Sequence, residues 1–441
     1  MGIAETLEYI HSVKWRGSKP GLERTRELLL SLGSPEKHLK FVHIAGTNGK
    51  GSTAAMIAAV LREAGYRTGL FTSPYITCFN ERMQVNGRFI SDYDLELLTD
   101  GIRPFADAME DPPTEFELIT ALAMKFFLYQ KCDIVVLETG MGGELDSTNV
   151  IDTPEAAVIT SIGFDHVKEL GPTLADIATA KAGIIKSGGD VMIYGGESEA
   201  ATVFPWTNGG ESEVEAVFGR VSAEKGARLI KADFSRITSQ EFSIEGTRFG
   251  FSPYGAISIP LAGSYQPKNA ALAITALEVL RGKGYRISDD DVISGLSAVK
   301  WPGRFELLGR DPVFILDGAH NPQGVRAAAE SLRRCFGERK VIFVVGVMAD
   351  KDVDSMIGHL AAQAEAFIAV RPDYYRAMGA NELASRLSCS GAPVFAFDTV
   401  TEGVAEAVRR AGKDGIVCAL GSLYFSADIR EAYRLYATRL I

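Results

Sequence analysis

The chain has 441 residues, well beyond the roughly 100–200 of one typical domain, so two domains are expected. Its 46% apolar and 23% charged residues fit a globular protein with material for two cores. A net charge of −10 and a pI near 5.3 exclude a nucleic-acid partner held on a broad basic surface, while a local pocket can still be positive for an anionic substrate.

The opening residues 1–15 carry neither the basic start nor the apolar run of a secretory signal. Thr6 and acidic Glu8 behind Gly2 favour an amphipathic helix over a myristoylated terminus. No run of about 18 apolar residues occurs, so no membrane span is expected. Cys78, Cys132, Cys335, Cys389 and Cys418 are scattered without Cys-x-x-Cys pairing, which points to reduced thiols in the cytoplasm rather than disulfides or zinc. Nothing calls for a second subunit, and a monomer is expected.

Along the chain, residues 40–45 read as a buried strand and 52–64 as a helix stopped at Gly65. Residues 133–138, 156–160 and 191–194 are further strands. Strands alternating with helices predict a mainly parallel sheet covered on both faces. Between about 197 and 263 the helical rhythm fades into short polar–apolar alternation, read as an antiparallel edge or subdomain closing the first domain. A second alternating run follows Trp301, with strands at 313–316, 341–345, 366–370, 394–396 and 416–419. Residues 297–303, with Trp301-Pro302-Gly303, read as the linker.

The strongest single motif is His43-Ile44-Ala45-Gly46-Thr47-Asn48-Gly49-Lys50-Gly51-Ser52-Thr53, set between a strand and a helix. Glycines let backbone N–H groups turn inward around phosphate oxygens, and the helix N-terminus adds a favourable dipole. Lys50 would neutralise the β- and γ-phosphates, and the Ser52 hydroxyl would reach Mg²⁺. The match to the general phosphate-loop pattern is imperfect: Ile44 stands where the first glycine belongs, and Gly51 follows the lysine.

With this loop in view, the chain resembles the folylpolyglutamate synthase/dihydrofolate synthase family of the Mur ligase superfamily. Gly46 to Ser52 is similar to that family's own variant of the loop. The likeness continues through Phe71-Thr72-Ser73-Pro74, Asn80-Glu81-Arg82, Glu138-Thr139-Gly140-Met141-Gly142-Gly143 and Leu145-Asp146-Ser147-Thr148-Asn149. Asp165-His166, 181–186, Gln266 with Asn269, 301–306, Asp317-Gly318-Ala319-His320-Asn321-Pro322 and Gly421-Ser422-Leu423-Tyr424 follow in the family's order. The resemblance implies an α/β protein: a phosphate-loop ATPase domain with a mainly parallel sheet and the folate site over 1–296, and a smaller Rossmann-like glutamate-ligase domain over 304–441.

It also implies the chemistry. A folate or dihydropteroate carboxylate would be phosphorylated by ATP, and the amine of L-glutamate would displace phosphate from the acyl phosphate. ATP would be held by Gly46, Thr47, Asn48, Gly49, Lys50, Gly51 and Ser52, with Asn269, Arg304, Asp317 and His320. Two Mg²⁺ ions would be held by Ser52, Ser73, Glu138, His166 and a Lys181 carbamylated by CO₂, which turns a cation into a carboxylate-like ligand. Lys50, Lys181 and His166 are the catalytic candidates. Phe116 would stack the pterin ring, with Leu145, Asp146 and Ser147 nearby. Read alone, several of these residues have plainer roles. His166 could be a cap, Lys181 a solvated side chain, Arg304 an ion-pair partner of Glu306, Asp317 a helix cap and Phe116 a core residue.

Tyr75 and Tyr265 stand where the family usually has histidine, and Ala180 where it has glutamate, which bears on substrate detail more than on ATP chemistry. Two other readings remain open. A Mur-type ligase acting on a UDP-muramyl peptide would usually carry a further N-terminal domain, and only about forty residues precede the phosphate loop. A phosphate-loop regulatory ATPase would have little use for the second domain.

Overall fold

The computed structural model describes residues 2–12, 21–195 and 213–437. The chain divides into two compact units: Met1–Ile237 with Phe251–Tyr254 and Lys268–Val299, and Thr238–Gly250 with Gly255–Pro267 and Lys300–Ile441.

The first unit is built on β1 (Phe41–Ala45), β2 (Thr68–Phe71), β3 (Met83–Val85), β4 (Arg88–Phe89), β5 (Ile134–Glu138), β6 (Ala156–Ile159), β7 (Asp190–Ile193) and β8 (Arg228–Lys231). They form one sheet in the order β4-β3-β2-β5-β1-β6-β7-β8, parallel from β2 to β8, with β3 and β4 antiparallel at one edge. Every residue of β1, β2, β5 and β6 is buried, as expected for strands covered on both faces. The connection from β5 to β6 crosses over β1, so β1 lies where the strand order turns back, the place at which such sheets bind ligands beyond the strand ends.

The helix Lys50–Glu63 follows β1 and is buried from Gly51 to Leu61. It starts two residues before the expected Ser52. Gly295 of the helix Asp289–Ser297 lets the two approach closely, since a Cβ there would stand 2.5 Å from the Val60 Cα.

The stretch expected to close the first domain as an antiparallel edge or subdomain holds more than that. It contains a helix, Glu213–Lys225, whose Val214, Val217, Phe218 and Val221 keep helical spacing inside otherwise polar sequence. Next, β8 extends the parallel sheet. Then β9 (Ile237–Ser243), β10 (Gly246–Phe251) and β11 (Gly255–Ile259) form a three-stranded sheet whose turns are too short for anything but antiparallel pairing. Most of that sheet belongs to the second unit. Arg334 stacks its guanidinium 4.8 Å from the Phe242 ring, Arg310 pairs with Glu245 at 2.8 Å, and the Ser264 N–H donates to Ser331 Oγ at 3.0 Å.

The rest of the second unit carries β12 (Glu306–Arg310), β13 (Val313–Leu316), β14 (Val341–Val345), β15 (Ala364–Val370), β16 (Val394–Phe397) and β17 (Ile416–Leu420) in the order β12-β13-β17-β14-β15-β16. Only β12 is antiparallel. Alternate residues of β14 serve two cores: Val341, Phe343 and Val345 on one face, Ile342 and Val344 on the other. Among the described residues no helix is long and apolar enough to cross a membrane.

Candidate active site

The loop after β1 is held open by its neighbours. Gly46 takes φ +150° and lies so close to β6 that a Cβ would stand 1.8 Å from Thr160 Oγ1. Gly49, at φ +87°, precedes the helix, and a Cβ there would meet Asn269 Oδ1 at 2.7 Å. Asn269 is therefore against the loop. Thr47 is pinned from the segment after β6: its N–H donates to the Ser161 carbonyl at 2.9 Å and its Oγ1 donates to the Gly163 carbonyl at 3.0 Å. Ser161 Oγ donates in turn to the Asn48 carbonyl at 3.3 Å.

Two lysines converge on one backbone oxygen. Lys50 Nζ donates to the Gly46 carbonyl at 3.1 Å and the Thr47 carbonyl at 3.3 Å. Lys181, near the end of the helix Leu174–Ala182, is buried and donates to the same Gly46 carbonyl at 2.9 Å. Burial, and then the Lys50 charge, push Lys181 down to about 7, against the pull of Asp165 and Asp146. The plain reading of Lys181 as a solvated side chain is thus corrected.

Glu138 ends β5 and is buried, and its Oε2 accepts from the Ser73 N–H at 3.3 Å, so two of the expected metal ligands are neighbours. The Ser52 hydroxyl is buried and has no hydrogen-bond partner among the described residues, an acceptor left for something else. His166 has a left-handed backbone, φ 50°, and heads the short helix Val167–Leu170; its side chain is 40% exposed, with Nε2 4.0 Å from Asp165 Oδ1. Among the described residues no group of three or more His, Cys, Asp and Glu side chains is arranged to hold a metal. A Mg²⁺ site needs none, because one or two carboxylates with hydroxyls, phosphates and water suffice. The orphaned Ser52 hydroxyl and buried Glu138 fit that donor set.

The glycine run behind Glu138 joins this centre to an aromatic surface. Phe116, second residue of the helix Glu115–Tyr129, lies over Gly140, where a Cβ would come within 2.5 Å of the ring. The Phe71 ring is 6.0 Å away between centroids. Leu145 is 54% exposed, whereas Asp146 and Ser147 are buried. The Asp146 carboxylate is directed into its own loop. It accepts from the Met141 N–H at 2.8 Å, the Thr148 N–H at 3.0 Å and Thr148 Oγ1 at 2.5 Å, while burial raises its pKa. His43 of β1 completes the chain, with Nε2 2.9 Å from Thr148 Oγ1.

In the second unit, Asp317 and His320 follow β13. Asp317 is buried; it accepts from the Phe305 N–H at 2.7 Å, the Ala319 N–H at 2.8 Å and Tyr265 Oη at 3.4 Å. Burial raises it despite the Arg304 charge nearby. It is no helix cap: Asn321 caps the helix Pro322–Phe336. Nor does Arg304 pair with Glu306, which is held by Arg430 and by the Gly303 N–H at 2.6 Å. The Arg304 Nη1 lies against Gly318, 2.2 Å from where a Cβ would be. His320 Nδ1 is 2.7 Å from the Gly318 carbonyl.

The departures find local roles. Tyr265 bonds to Asp317, Tyr75 lies under the Arg82 guanidinium at 5.1 Å, and the Ala180 carbonyl accepts from the Glu144 N–H at 2.7 Å. The sequence reading missed Thr160, Ser161 and Gly163 as supports of the phosphate loop. Their only signal was a polar pair closing β6.

Residues 44–277 match the family model of the Mur ligase middle domain, and 303–423 that of the Mur ligase glutamate ligase domain. The dihydrofolate synthase/folylpolyglutamate synthase of Bacillus subtilis is 39% identical over 442 residues, covering 97% of this chain and 98% of that one. A folylpolyglutamate synthase of Mycobacterium tuberculosis solved in complex with ADP is 30% identical, with a TM-score of 0.87 and 98% of each chain covered. The Escherichia coli FolC structure in complex with DHPP and ADP is 27% identical, with a TM-score of 0.84 and 99% of each covered.

Proposed function

The chain belongs to the folylpolyglutamate synthase/dihydrofolate synthase family of Mur ligases, and on that premise we propose how its residues divide the work. It is an ATP-dependent ligase that joins glutamate to a folate-type carboxylate. In the proposed course a carboxylate oxygen of the pteridine substrate attacks the γ-phosphorus of ATP. The bond to the β-phosphate breaks, giving an acyl phosphate and ADP. The amine of L-glutamate then attacks the acyl carbonyl, the amide forms, and inorganic phosphate leaves as the nitrogen gives up its proton.

The observation that carries this reading is that a single segment, 138–143, has the buried Glu138 carboxylate at one end and the Phe116 ring lying on Gly140 two residues on. A nucleotide held by the loop 46–52 and a flat ring on Phe116 would share that segment, as carboxylate phosphorylation requires. Lys50 and the inward N–H groups would hold the phosphates. Ser52, Ser73, Glu138, His166 and carbamylated Lys181 would hold two Mg²⁺ ions, which when bound supply the positive charge that offsets the gathered anions. In the second unit, Arg304, Asp317 and His320 are assigned to the nucleotide, within a domain boundary placed at 297–303.

Carbamylation of Lys181 is supported by its environment. The neutral amine is the form that attacks CO₂, forming the N–C bond and losing a proton, and a pKa near 7 keeps much of it neutral. The product is an anion beside the Lys50 cation, replacing repulsion with attraction. Dihydropteroate is proposed as a second acceptor, monomer as the working state, and the cytoplasm as the location, the last supported by five free cysteines.

The test is incubation with ATP, Mg²⁺ and L-glutamate, with tetrahydrofolate or dihydropteroate added separately, following ADP release and product mass together. Glutamate added to both establishes two activities, and addition to the folate alone removes the second. ATP turnover indifferent to glutamate would overturn the ligase assignment.

A further inference from the structure

Arg24 lies on the helix Glu23–Ser31, outside every segment of the proposed site, and is buried. A buried guanidinium is tolerated only where its charge and donors are met. Nε donates to Glu117 Oε2 at 3.0 Å and Nη2 to Glu117 Oε1 at 2.8 Å, a two-pronged pair with a carboxylate that is itself buried. Nη1 reaches Asp111 Oδ2 at 3.5 Å. The same Glu117 carboxylate accepts from the Thr114 N–H at 2.7 Å, and Thr114 Oγ1 accepts from the Glu117 N–H at 3.3 Å. Thr114 and Glu117 are thus the reciprocal cap of the helix Glu115–Tyr129, and the residues between them are Glu115 and Phe116.

Such a cap does not need burial. The helices Leu174–Ala182 and Asp289–Ser297 open with the same arrangement, Thr173 with Asp176 and Ser288 with Asp291, and both of these caps sit at the surface. At Thr114 the cap is sunk into the core and fastened to a second helix by a pair whose planar fork admits few orientations. On the outer side, His11 Nδ1 lies 3.2 Å from Glu115 Oε1. The helix start is therefore gripped from both sides, and its second residue is the one that rests on Gly140.

We infer that Arg24 is a positioning residue for the folate-type substrate, acting through Glu117 on the placement of Phe116. The inference rests on the proposed role of Phe116 as the ring platform. Its consequence is selective: loosening the fork shifts the ring platform and leaves the phosphate loop, built from β1 and β6, as it was.

The test is steady-state kinetics of the full chain with tetrahydrofolate, ATP and glutamate varied in turn, for Arg24→Lys, Glu117→Gln, Phe116→Ala and Arg236→Lys. Arg24→Lys keeps the charge and gives up the fork. Arg236 makes a comparable two-pronged pair with Glu278 at 3.0 and 2.7 Å in the same unit, so its variant reports what a general loss of stability does. The expected result is an about tenfold rise in the KM for tetrahydrofolate in Arg24→Lys, in the same direction for Glu117→Gln, with the KM values for ATP and glutamate within about twofold of wild type. Arg236→Lys leaves all three unchanged. If Phe116→Ala raises the folate KM and Arg24→Lys, shown folded by thermal melting, does not, the positioning role is overturned while the platform stands. If Phe116→Ala leaves that KM unchanged, the platform reading falls and the inference falls with it. A uniform change in all three KM values, or in kcat alone, would mark Arg24 as structural only.

Discussion

At the scale of single residues, the two lysines on the Gly46 carbonyl have separable roles. Lys50→Ala removes the charge assigned to the phosphates, and its turnover should fall by at least about a hundredfold with the fold intact, read by ADP release beside a circular dichroism melt. Near-normal turnover by a folded variant would sink the phosphate assignment. For Lys181 the sign follows from a pKa lowered to about 7: the neutral amine gains as pH rises through that value, and only it takes up CO₂. Enzyme stripped of bicarbonate should therefore recover activity on adding it back more completely at pH 8 than at pH 6. Recovery independent of bicarbonate would remove the carbamate. His43, on β1, gives a test read as stability rather than turnover. Burial, with Lys186 adding to it, lowers its pKa from 6.5 to about 3. Below pH 6.5 the unfolded chain takes up a proton that the folded one refuses until about pH 3. Stability is thus lost as pH is lowered across that window, by up to about 1.4 kcal/mol per unit. His43→Gln lacks this contribution, so its urea midpoint should vary less between pH 6 and pH 4 than that of wild type.

Elements explain what could be read in the sequence and what could not. The central strands were legible because they are buried on both faces and spell continuous apolar runs, as in 134–138 and 341–345. Edge strands that are short and exposed, such as Arg88–Phe89, or only half-buried, such as Glu306–Arg310, carry no such run. The site motifs were legible because each loop follows a strand end and spends glycines where backbone must approach closely. What holds those loops was not legible: Arg24 and Glu117 are 93 residues apart, and each alone looks like a charged surface residue. The fit of the loop after β5 gives its own test. Gly140→Ala places a methyl into the Phe116 ring, so it should raise the KM for tetrahydrofolate several-fold and spare that for ATP. An unchanged folate KM in a folded Gly140→Ala variant would detach Phe116 from the substrate.

For the whole molecule, the second unit resumes at Lys300, inside the 297–303 read from sequence, but it also takes in Thr238–Gly250 and Gly255–Pro267. A linker rich in Pro and Gly marks where the chain passes between cores, whereas a compact unit is defined by which surfaces cover each other. The three-stranded sheet, its first turn and the segment after it cover part of the second unit through Phe242 under Arg334, Glu245 with Arg310, and Ser264 bonded to Ser331. Ala262 also belongs to the same buried cluster as Phe343 and Leu332. A fragment limited to 304–441 would lose all four contacts and expose the apolar surface they cover. Its β14 and β17 amides, at the middle of the sheet, should then exchange with solvent faster than the same amides in the full chain, since opening free energy follows the stability of the surrounding core. Equal protection in fragment and full chain would mean that the three-stranded sheet adds nothing to the second core, and that the sequence boundary is also the folding boundary.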